Sequence, residues 1–249
     1  MLENIWVAIG VGFIAQIIDG ALGMAYGVSA TSFLLSFGIP PAAASAGVHV
    51  AEVFTTGVSG ISHWKFGNID KGLIKRLILP GMVGAFLGAY ILVNIPGEKI
   101  KPYIAVYMFI MGCVVLYKAY RQIVPREIIH DRQTSALGLV GGFFDAIGGG
   151  GWGPIVTSTL LARGNDARMT IGSVNAAEFF VALTASVTFL LSVGISSWRL
   201  TLGLIIGGML AAPFAAYLCK KISRKHLMVV VGLLILVLSI RTLYLVFGK

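Results

Sequence analysis

The sequence predicts an all-α polytopic membrane protein that consists of two homologous repeats. Only 12% of its residues are charged, about half the share found in a soluble domain. Four long stretches contain no Asp, Glu, Lys or Arg, at 20–51, 77–97, 179–198 and 200–219. A helix needs about 20 apolar residues to cross the ~30 Å hydrocarbon layer, so these stretches are long enough. The mean hydropathy of +0.90 agrees with this class.

One sequence pattern occurs twice, which is the main argument for repeats. Residues 19–52 align with residues 145–178 at a constant offset of 126. The identical pairs are Asp19/Asp145, Gly23/Gly149, Gly27/Gly153, Thr31/Thr157, Ser32/Ser158 and Glu52/Glu178, and Tyr26 aligns with Trp152. Two related halves, each with an interrupted apolar segment and buried acids, are typical of secondary transporters.

The chain divides into a first repeat at 1–121, a linker at 122–134 and a second repeat at 135–249. Each repeat is predicted to contain four apolar segments. In the first repeat they are 4–37, 41–64, 71–94 and 101–121. In the second repeat they are 135–162, 168–192, 197–220 and 225–247. No part of the chain is long and polar enough to predict a soluble domain.

The first segment of each repeat is predicted to be broken near the membrane midplane. In the second repeat an arm of eleven residues, 135–145, would be about 16 Å long as a helix. Four glycines follow at 148–151, and each costs a helix up to ~1 kcal/mol relative to Ala. A second arm follows at 154–162, and the first repeat is broken at 20–27. Each broken segment either crosses as a discontinuous helix or returns as a re-entrant hairpin.

The distribution of Lys and Arg among the connections predicts the topology. If both broken segments return to their own side, one membrane face holds 14 of these residues and the other holds 5. If every segment crosses once, the counts are 11 and 8. The positive-inside rule favours the first arrangement, although two short spans per broken segment would have the same parity. We therefore expect inverted repeats, with 122–134 in the cytoplasm and both termini outside, and no nucleic-acid partner despite the net charge of +9.

Four acids in apolar surroundings are predicted to take part in proton coupling. Glu52 and Glu178 lie in the middle of their segments, where an ionised carboxylate is costly and usually faces an aqueous pathway. Their repetition favours a functional role over a structural bond to a neighbouring helix. Asp19 and Asp145 close the first arms. Capping of the second arm and direct proton coupling have equal weight for these two residues.

Polar residues near these acids are candidates for substrate binding. His49 and Asn175 lie three residues before the glutamates, on the same helix face. Both can hydrogen-bond a substrate oxygen, and His can also carry a proton near neutral pH; the alternative is a packed polar residue bonded to a carbonyl. Thr31 and Thr157 are weaker candidates, because Ser and Thr in membrane helices often bond their own backbone.

The glycine breaks predict an anion site. Unwound glycines leave backbone N–H groups unpaired and allow close approach, and the N-terminus of the second arm carries partial positive charge. The predicted contacts are Gly149, Gly150, Gly151 and Trp152 in the second repeat, and Gly23 and Tyr26 in the first. The alternative is a glycine-packed helix crossing. Cys113 and Cys219 are predicted to be free, buried thiols, and no metal or cofactor is predicted.

These motifs resemble the TauE/SafE sulfite exporter family. The resemblance rests on the run Asp-Ala-Ile-Gly-Gly-Gly-Gly-Trp-Gly-Pro at 145–154, on Gly-Ser-Val-Asn-Ala-Ala-Glu at 172–178, and on the duplication and size. It covers nearly the whole chain. The first repeat departs from the family pattern, because Met24, Ala25 and Tyr26 stand where a fuller glycine run is common. The resemblance implies a multi-pass protein of the bacterial inner membrane that exports sulfite, a sulfonate or a related organic acid.

The sequence therefore predicts a secondary transporter for a small anion, with protons as the coupling ion, and not an enzyme. The alternative is an anion channel with a fixed pore and structural glutamates. An intramembrane enzyme is disfavoured, because the chain contains neither an HExxH nor a GxSxG motif. The expected partners are the anion, protons and the lipid bilayer, and a homodimer is left open.

Overall fold

A computed structural model describes residues 5–22, 24–120, 131–163, 165–194, 197–221 and 224–248. These ranges are almost entirely helical, as the sequence predicts. The first repeat contains α1 (Ile5–Leu22), α2 (Tyr26–Ser36), α3 (Pro41–Lys65), α4 (Lys71–Asn94) and α5 (Gly97–Tyr120). The second contains α6 (Asp131–Gly148), a π-helical segment (Trp152–Thr157), α7 (Ser158–Ala162), α8 (Ala167–Ser192), α9 (Trp198–Lys221) and α10 (Arg224–Phe247).

The protein is a polytopic membrane protein. Among the described residues, four helical stretches are long and apolar enough to cross a bilayer, at Lys71–Asn94, Gly97–Tyr120, Met169–Ser192 and Met228–Phe247. Large apolar side chains, such as Phe86 on α4, Val106 on α5 and Val237 on α10, are exposed, as expected for surfaces that face lipid. Cys113 is also exposed on α5, so the prediction that it is buried was wrong. The side chain of Cys219 lies outside the described residues.

Both helix breaks are present, but the arms that precede them are longer than predicted. α1 ends at Leu22 and α2 begins at Tyr26, inside the predicted break. α6 begins at Asp131, four residues inside the predicted linker, and continues to Gly148. Its first turn is supported by an ion pair of 3.0 Å between Asp131 and Arg76 of α4. The first arm is thus 18 residues long, about 27 Å. Residues 121–130 of the predicted linker lie outside the described part of the chain.

The first helix of each repeat packs against the other repeat. α1 packs along α9, and α6 packs along α4. α3 contacts α8, and α5 contacts α10. Exchanging the two repeats converts the first two pairs into each other and leaves the last two unchanged. The helix contacts therefore have the same twofold relation as the sequence duplication.

Glycines allow these helices to approach closely. A Cβ atom on Gly207 of α9 would collide with the Ile9 carbonyl of α1. In the equivalent interface, a Cβ on Gly84 of α4 would collide with the Leu139 carbonyl of α6. Small residues at such crossings let helix backbones pack directly, which drives association inside a bilayer. At the breaks, a glycine-packed helix crossing was the alternative to an anion site. Crossings of this kind occur in these two helix interfaces.

Candidate functional site

The two helix breaks meet in the interior of the protein. The Thr31 hydroxyl of α2 donates a hydrogen bond of 2.8 Å to the carbonyl oxygen of Gly149. A Cβ on Gly27 would collide with the Gly149 carbonyl, and a Cβ on its counterpart Gly153 would lie 2.7 Å from the Cβ of Met24. Each break thus packs against the break of the other repeat, so residues predicted to bind one substrate from both repeats do lie together.

Asp19 and Asp145 cap the second arms in equivalent ways. Asp19 Oδ1 accepts a hydrogen bond of 3.2 Å from the N–H of Tyr26. Asp145 Oδ1 accepts bonds of 2.9 Å from the N–H of Trp152 and 2.7 Å from that of Gly151. A carboxylate at this position pairs N–H groups that have no partner within the helix. Both aspartates lie inside the first helix rather than at its end, so they reach across the break.

The backbone donors of the second break are therefore occupied. The Gly150 N–H donates to the Asp145 carbonyl at 3.0 Å, and the next two N–H groups bond the carboxylate of the same residue. Gly149 has a φ of 65°, which a residue without a Cβ adopts at no steric cost. The Asp145 carboxylate thus lies where the sequence predicts the substrate anion. Gly23, the predicted contact in the first repeat, lies outside the described residues.

Tyr26 and Trp152 are buried beside the breaks and bond to other helices. The Tyr26 hydroxyl donates to the Leu204 carbonyl of α9 at 3.4 Å. The Trp152 ring N–H donates to the Val174 carbonyl of α8 at 3.2 Å. Their polar atoms therefore hold the start of each second arm against a neighbouring helix. Thr157, a weaker candidate, is buried in the π-helical segment, a helix type that is frequent at functional sites.

His49 lies between two acids from different repeats. Its ring is inaccessible to solvent, and Nε2 is 3.3 Å from Asp145 Oδ2 and 3.9 Å from Glu52 Oε2. Its other nitrogen, Nδ1, is 2.8 Å from the Ser45 carbonyl. The Oε2 atom of Glu52 is buried and has no hydrogen-bond partner. The imidazole is thus surrounded by acceptor atoms and not by an open pocket.

The structure brings the four predicted acids into one electrostatic neighbourhood. Glu52 interacts electrostatically with Asp145, Glu178 and Asp19, and Glu178 interacts with the two aspartates. Asn175, the counterpart of His49, is buried, and Glu178 is partly buried. Residues from both repeats therefore contribute to this one acidic cluster.

Two cations that reach the second arms were not predicted as site residues. Lys118 of α5 donates to the Pro154 carbonyl at 3.2 Å and also to the Ser158 hydroxyl. Arg241 of α10 donates to the Ser36 hydroxyl of α2 at 3.3 Å. Each second arm thus receives a cation from the last helix of the other repeat. A lone basic residue in an apolar span, which must find acceptors inside the protein, is the sequence signal that could have identified them.

Tyr107 of α5 is a further contact that the sequence gave no reason to select. Its hydroxyl donates to the Gly150 carbonyl at 3.3 Å. The ring stacks on Phe144 of α6, with centroids 5.3 Å apart. α5 therefore supports the second break in addition to α2.

Comparison with known proteins identifies similar sequences. The family described as Sulfite exporter TauE/SafE matches residues 8–242. The "Probable membrane transporter protein YtnM" of Bacillus subtilis (strain 168) is 46% identical over 241 residues, which cover 94% of this chain and 80% of that protein. No solved structure matches the chain.

Proposed function

The chain belongs to the TauE/SafE sulfite exporter family and is a membrane transporter of that type, and on this basis we propose that it moves a small anion by proton-coupled secondary transport. The proposed substrates are sulfite, a sulfonate or an organic acid, and the proposed location is the bacterial cell membrane. The description of the family and the name of the relative support transport as such. The substrate class and the coupling to protons are our proposal.

The observation that carries the proposal is the meeting of the two breaks beside the four acids. Each second arm begins there, so backbone N–H groups with partial positive charge converge on one small region. Repeated halves with broken helices at a common site are the arrangement that supports alternating access by rocking of one half against the other. In this proposal Glu52 and Glu178 exchange protons with the two sides during that motion.

The helix lengths at the first break leave room for a turn there. α1 has 18 residues and α2 has 11, so the two arms placed end to end would extend about 43 Å. That exceeds the ~30 Å hydrocarbon layer. A re-entrant path, in which the second arm returns toward its own side, therefore suits these lengths and the inverted topology.

A transporter suits the burial of the site better than a channel with a fixed pore. His49, Glu52 and Trp152 are almost inaccessible, so the centre of the site is closed to water in this structure. A transporter is closed in this way at one stage of its cycle. A permanently open pore would require water along a path through these side chains.

The proposal is tested with purified protein and with proteoliposomes. Sulfite, sulfate, sulfonates and carboxylates are screened by thermal shift, because a ligand that binds the folded state raises its apparent stability. The anion that binds is then offered to proteoliposomes under an imposed pH gradient. We expect uphill accumulation that collapses with a protonophore. Flux that only runs downhill would contradict proton coupling and favour the channel, and the absence of any stabilising anion would contradict the proposed substrate class.

A further inference from the structure

The Asp145 carboxylate caps the second arm through Oδ1 and faces His49 through Oδ2. It cannot keep the cap while an anion is bound to the same backbone N–H groups. We infer that its carboxylate is an internal competitor of the substrate anion, and that one proton taken up by the His49–Asp145 pair releases the backbone donors. This inference rests on the proposed function and specifies how proton and anion are coupled. It assigns His49 to proton binding and not to substrate contact.

Asp145 occupies the backbone donors that a bound anion would need. Oδ1 accepts from the N–H groups of Gly151 and Trp152 at 2.7 and 2.9 Å. These donors begin the second arm, 152–162, which is eleven residues long. A carboxylate and a sulfonate or sulfite offer the same kind of acceptor oxygen. An anion can therefore bind these N–H groups only after Oδ1 has left them.

The hydrogen bonds around His49 determine which of its ring nitrogens carries the proton. The Ser45 hydroxyl donates to the Ala146 carbonyl at 2.6 Å, so its proton is not available to the imidazole. A carbonyl oxygen can only accept, and Nδ1 lies 2.8 Å from the Ser45 carbonyl. Nδ1 must therefore carry a proton, and Nε2 of the neutral ring carries a lone pair.

The exchangeable proton binds between Nε2 of His49 and Oδ2 of Asp145. With Nδ1 protonated, Nε2 faces Asp145 Oδ2 at 3.3 Å and Glu52 Oε2 at 3.9 Å, and these atoms lie within 4.8 Å of one another. Three acceptor atoms around one point leave Glu52 Oε2 buried without a donor. One proton bound at Nε2 lets the ring donate to Asp145 Oδ2 at 3.3 Å and places positive charge 3.9 Å from Glu52 Oε2. It also brings the charge of the pair from −1 to zero, which weakens the hold of Oδ1 on the backbone.

The His49–Asp145 pair joins the two repeats, and the equivalent pair at the other cap has no imidazole. The titratable groups that face the pair are Glu52 on α3, Glu178 on α8, Asp19 on α1 and Tyr107 on α5; the Phe189 ring of α8 covers the imidazole at 6.0 Å. In the other repeat the position of His49 is occupied by Asn175. An amide takes up no proton near neutral pH, so the Asp19 side of the site cannot work in the same way. This pair is therefore expected to take up one proton for each anion that binds, whereas Glu52 and Glu178 act in the later exchange with the two sides of the membrane.

Calorimetry on the purified, full-length protein tests the inference. Sulfate and methanesulfonate serve as probes, because neither exchanges a proton near neutral pH. Titrations in buffers with different ionisation enthalpies measure the protons taken up on binding. The wild type should take up about one proton for each anion bound. Its affinity for the probe anion should therefore fall about tenfold per pH unit as the pH rises. Asp145→Asn should bind without proton uptake, and His49→Asn should bind more weakly and also without uptake.

One further variant separates this mechanism from general damage. Glu98→Gln changes an exposed acid at the start of α5 and should match the wild type. If Asp145→Asn does not fold, the proton uptake of His49→Asn and of the wild type still tests the inference.

Each remaining outcome is decisive. Binding by the wild type without proton uptake overturns the inference but leaves the proposed anion transporter intact. Unchanged uptake in His49→Asn also overturns it. If the purified protein holds a stoichiometric metal ion that is lost in His49→Asn, the cluster binds a metal cation in place of the proton, and the inference is overturned. If neither probe nor any anion of the thermal-shift screen binds, the proposed function fails and this inference fails with it.

Discussion

Thr31 in α2 donates a hydrogen bond of 2.8 Å to the carbonyl oxygen of Gly149, so the second arm of one repeat is attached to the break of the other. A Cβ on Gly149 would collide with that same Thr31 hydroxyl. The contact joins the Thr31 side chain to the backbone of the other break, with little space between them. Movement of one break should therefore displace the other, as the proposed rocking of the two halves requires.

Gly151→Ala should weaken anion binding at least tenfold while the protein still folds. A Cβ there would lie 2.7 Å from the Tyr107 hydroxyl and 2.8 Å from the Asp145 backbone nitrogen, so the break would widen around its N–H groups. Gly150→Ala should have the larger structural effect, because its Cβ would collide with the backbone of Val28.

Gly10→Ala is the matched control for both glycine variants. Nothing lies within 4 Å of a Cβ at Gly10, and Ala is favoured over Gly inside a helix by up to ~1 kcal/mol. Affinity by calorimetry and melting temperature are measured for all three variants. Unchanged affinity in Gly150→Ala and Gly151→Ala would show that the glycines serve packing and that the anion binds elsewhere.

Glu52→Gln and Glu178→Gln should each keep the fold and lose proton-driven uphill transport. Gln preserves the volume and the hydrogen-bonding capacity of Glu but removes the titratable proton. The Glu52 side chain is 3% exposed, so its replacement by a neutral group removes no contact with water. Uptake into proteoliposomes is measured at several external pH values. If both variants transport with the pH dependence of the wild type, the glutamates are structural.

Ala25→Gly should stabilise the protein by up to about 1 kcal/mol. Ala25 has a φ of 88°, a left-handed conformation that costs a residue with a Cβ about 1–2 kcal/mol; the greater freedom of Gly in the unfolded chain offsets part of this. Gly38 has the same φ of 88° and open space around it. Gly38→Ala should therefore destabilise by a similar amount, and reversible unfolding of both variants measures the difference. Equal stability of all three proteins would contradict the assignment of strain to Ala25.

Residues 122–134 should face the cytoplasm, and both termini should face outward. Single cysteines at Gly67 and Gly194, in a background without Cys113 and Cys219, test this with an impermeant thiol reagent on intact cells. The loop charges predict that Gly67→Cys is protected and Gly194→Cys is labelled. Labelling of Gly67→Cys, or termini found in the cytoplasm, would exclude the inverted topology.

The spans were predictable from the sequence because charged residues end the apolar runs. The predicted segments 41–64 and 71–94 agree with α3 (Pro41–Lys65) and α4 (Lys71–Asn94) almost residue for residue. The start of α6 was missed for the same reason. Asp131 and Arg132 are charged, so hydropathy could not show that the helix begins before the membrane.

The arrangement of the site was only partly predictable. The alignment of the repeats identified Asp19 and Asp145 as equivalent, and capping of the second arm was one of two roles that it left open. The position of His49 beside Asp145 depends on how α3 of one repeat packs against α6 of the other. Hydrophobic periodicity determines which face of a helix is buried but not which helix covers it. The occupation of the glycine N–H groups by Asp145 is the capping role that the sequence offered beside direct proton coupling.

The pairing of α1 with α9 also constrains how the protein is made. α1 (Ile5–Leu22) leaves the ribosome long before α9 (Trp198–Lys221), because α2 to α8 are synthesised between them. Chains are made at about 5–20 residues per second, so α1 must wait in the membrane for about ten seconds or more before its partner arrives. During that time its glycine-lined face and Asp19 need a temporary cover, either lipid or the insertion machinery. A chain truncated before α9 would leave that face permanently exposed and should be a target for membrane proteases.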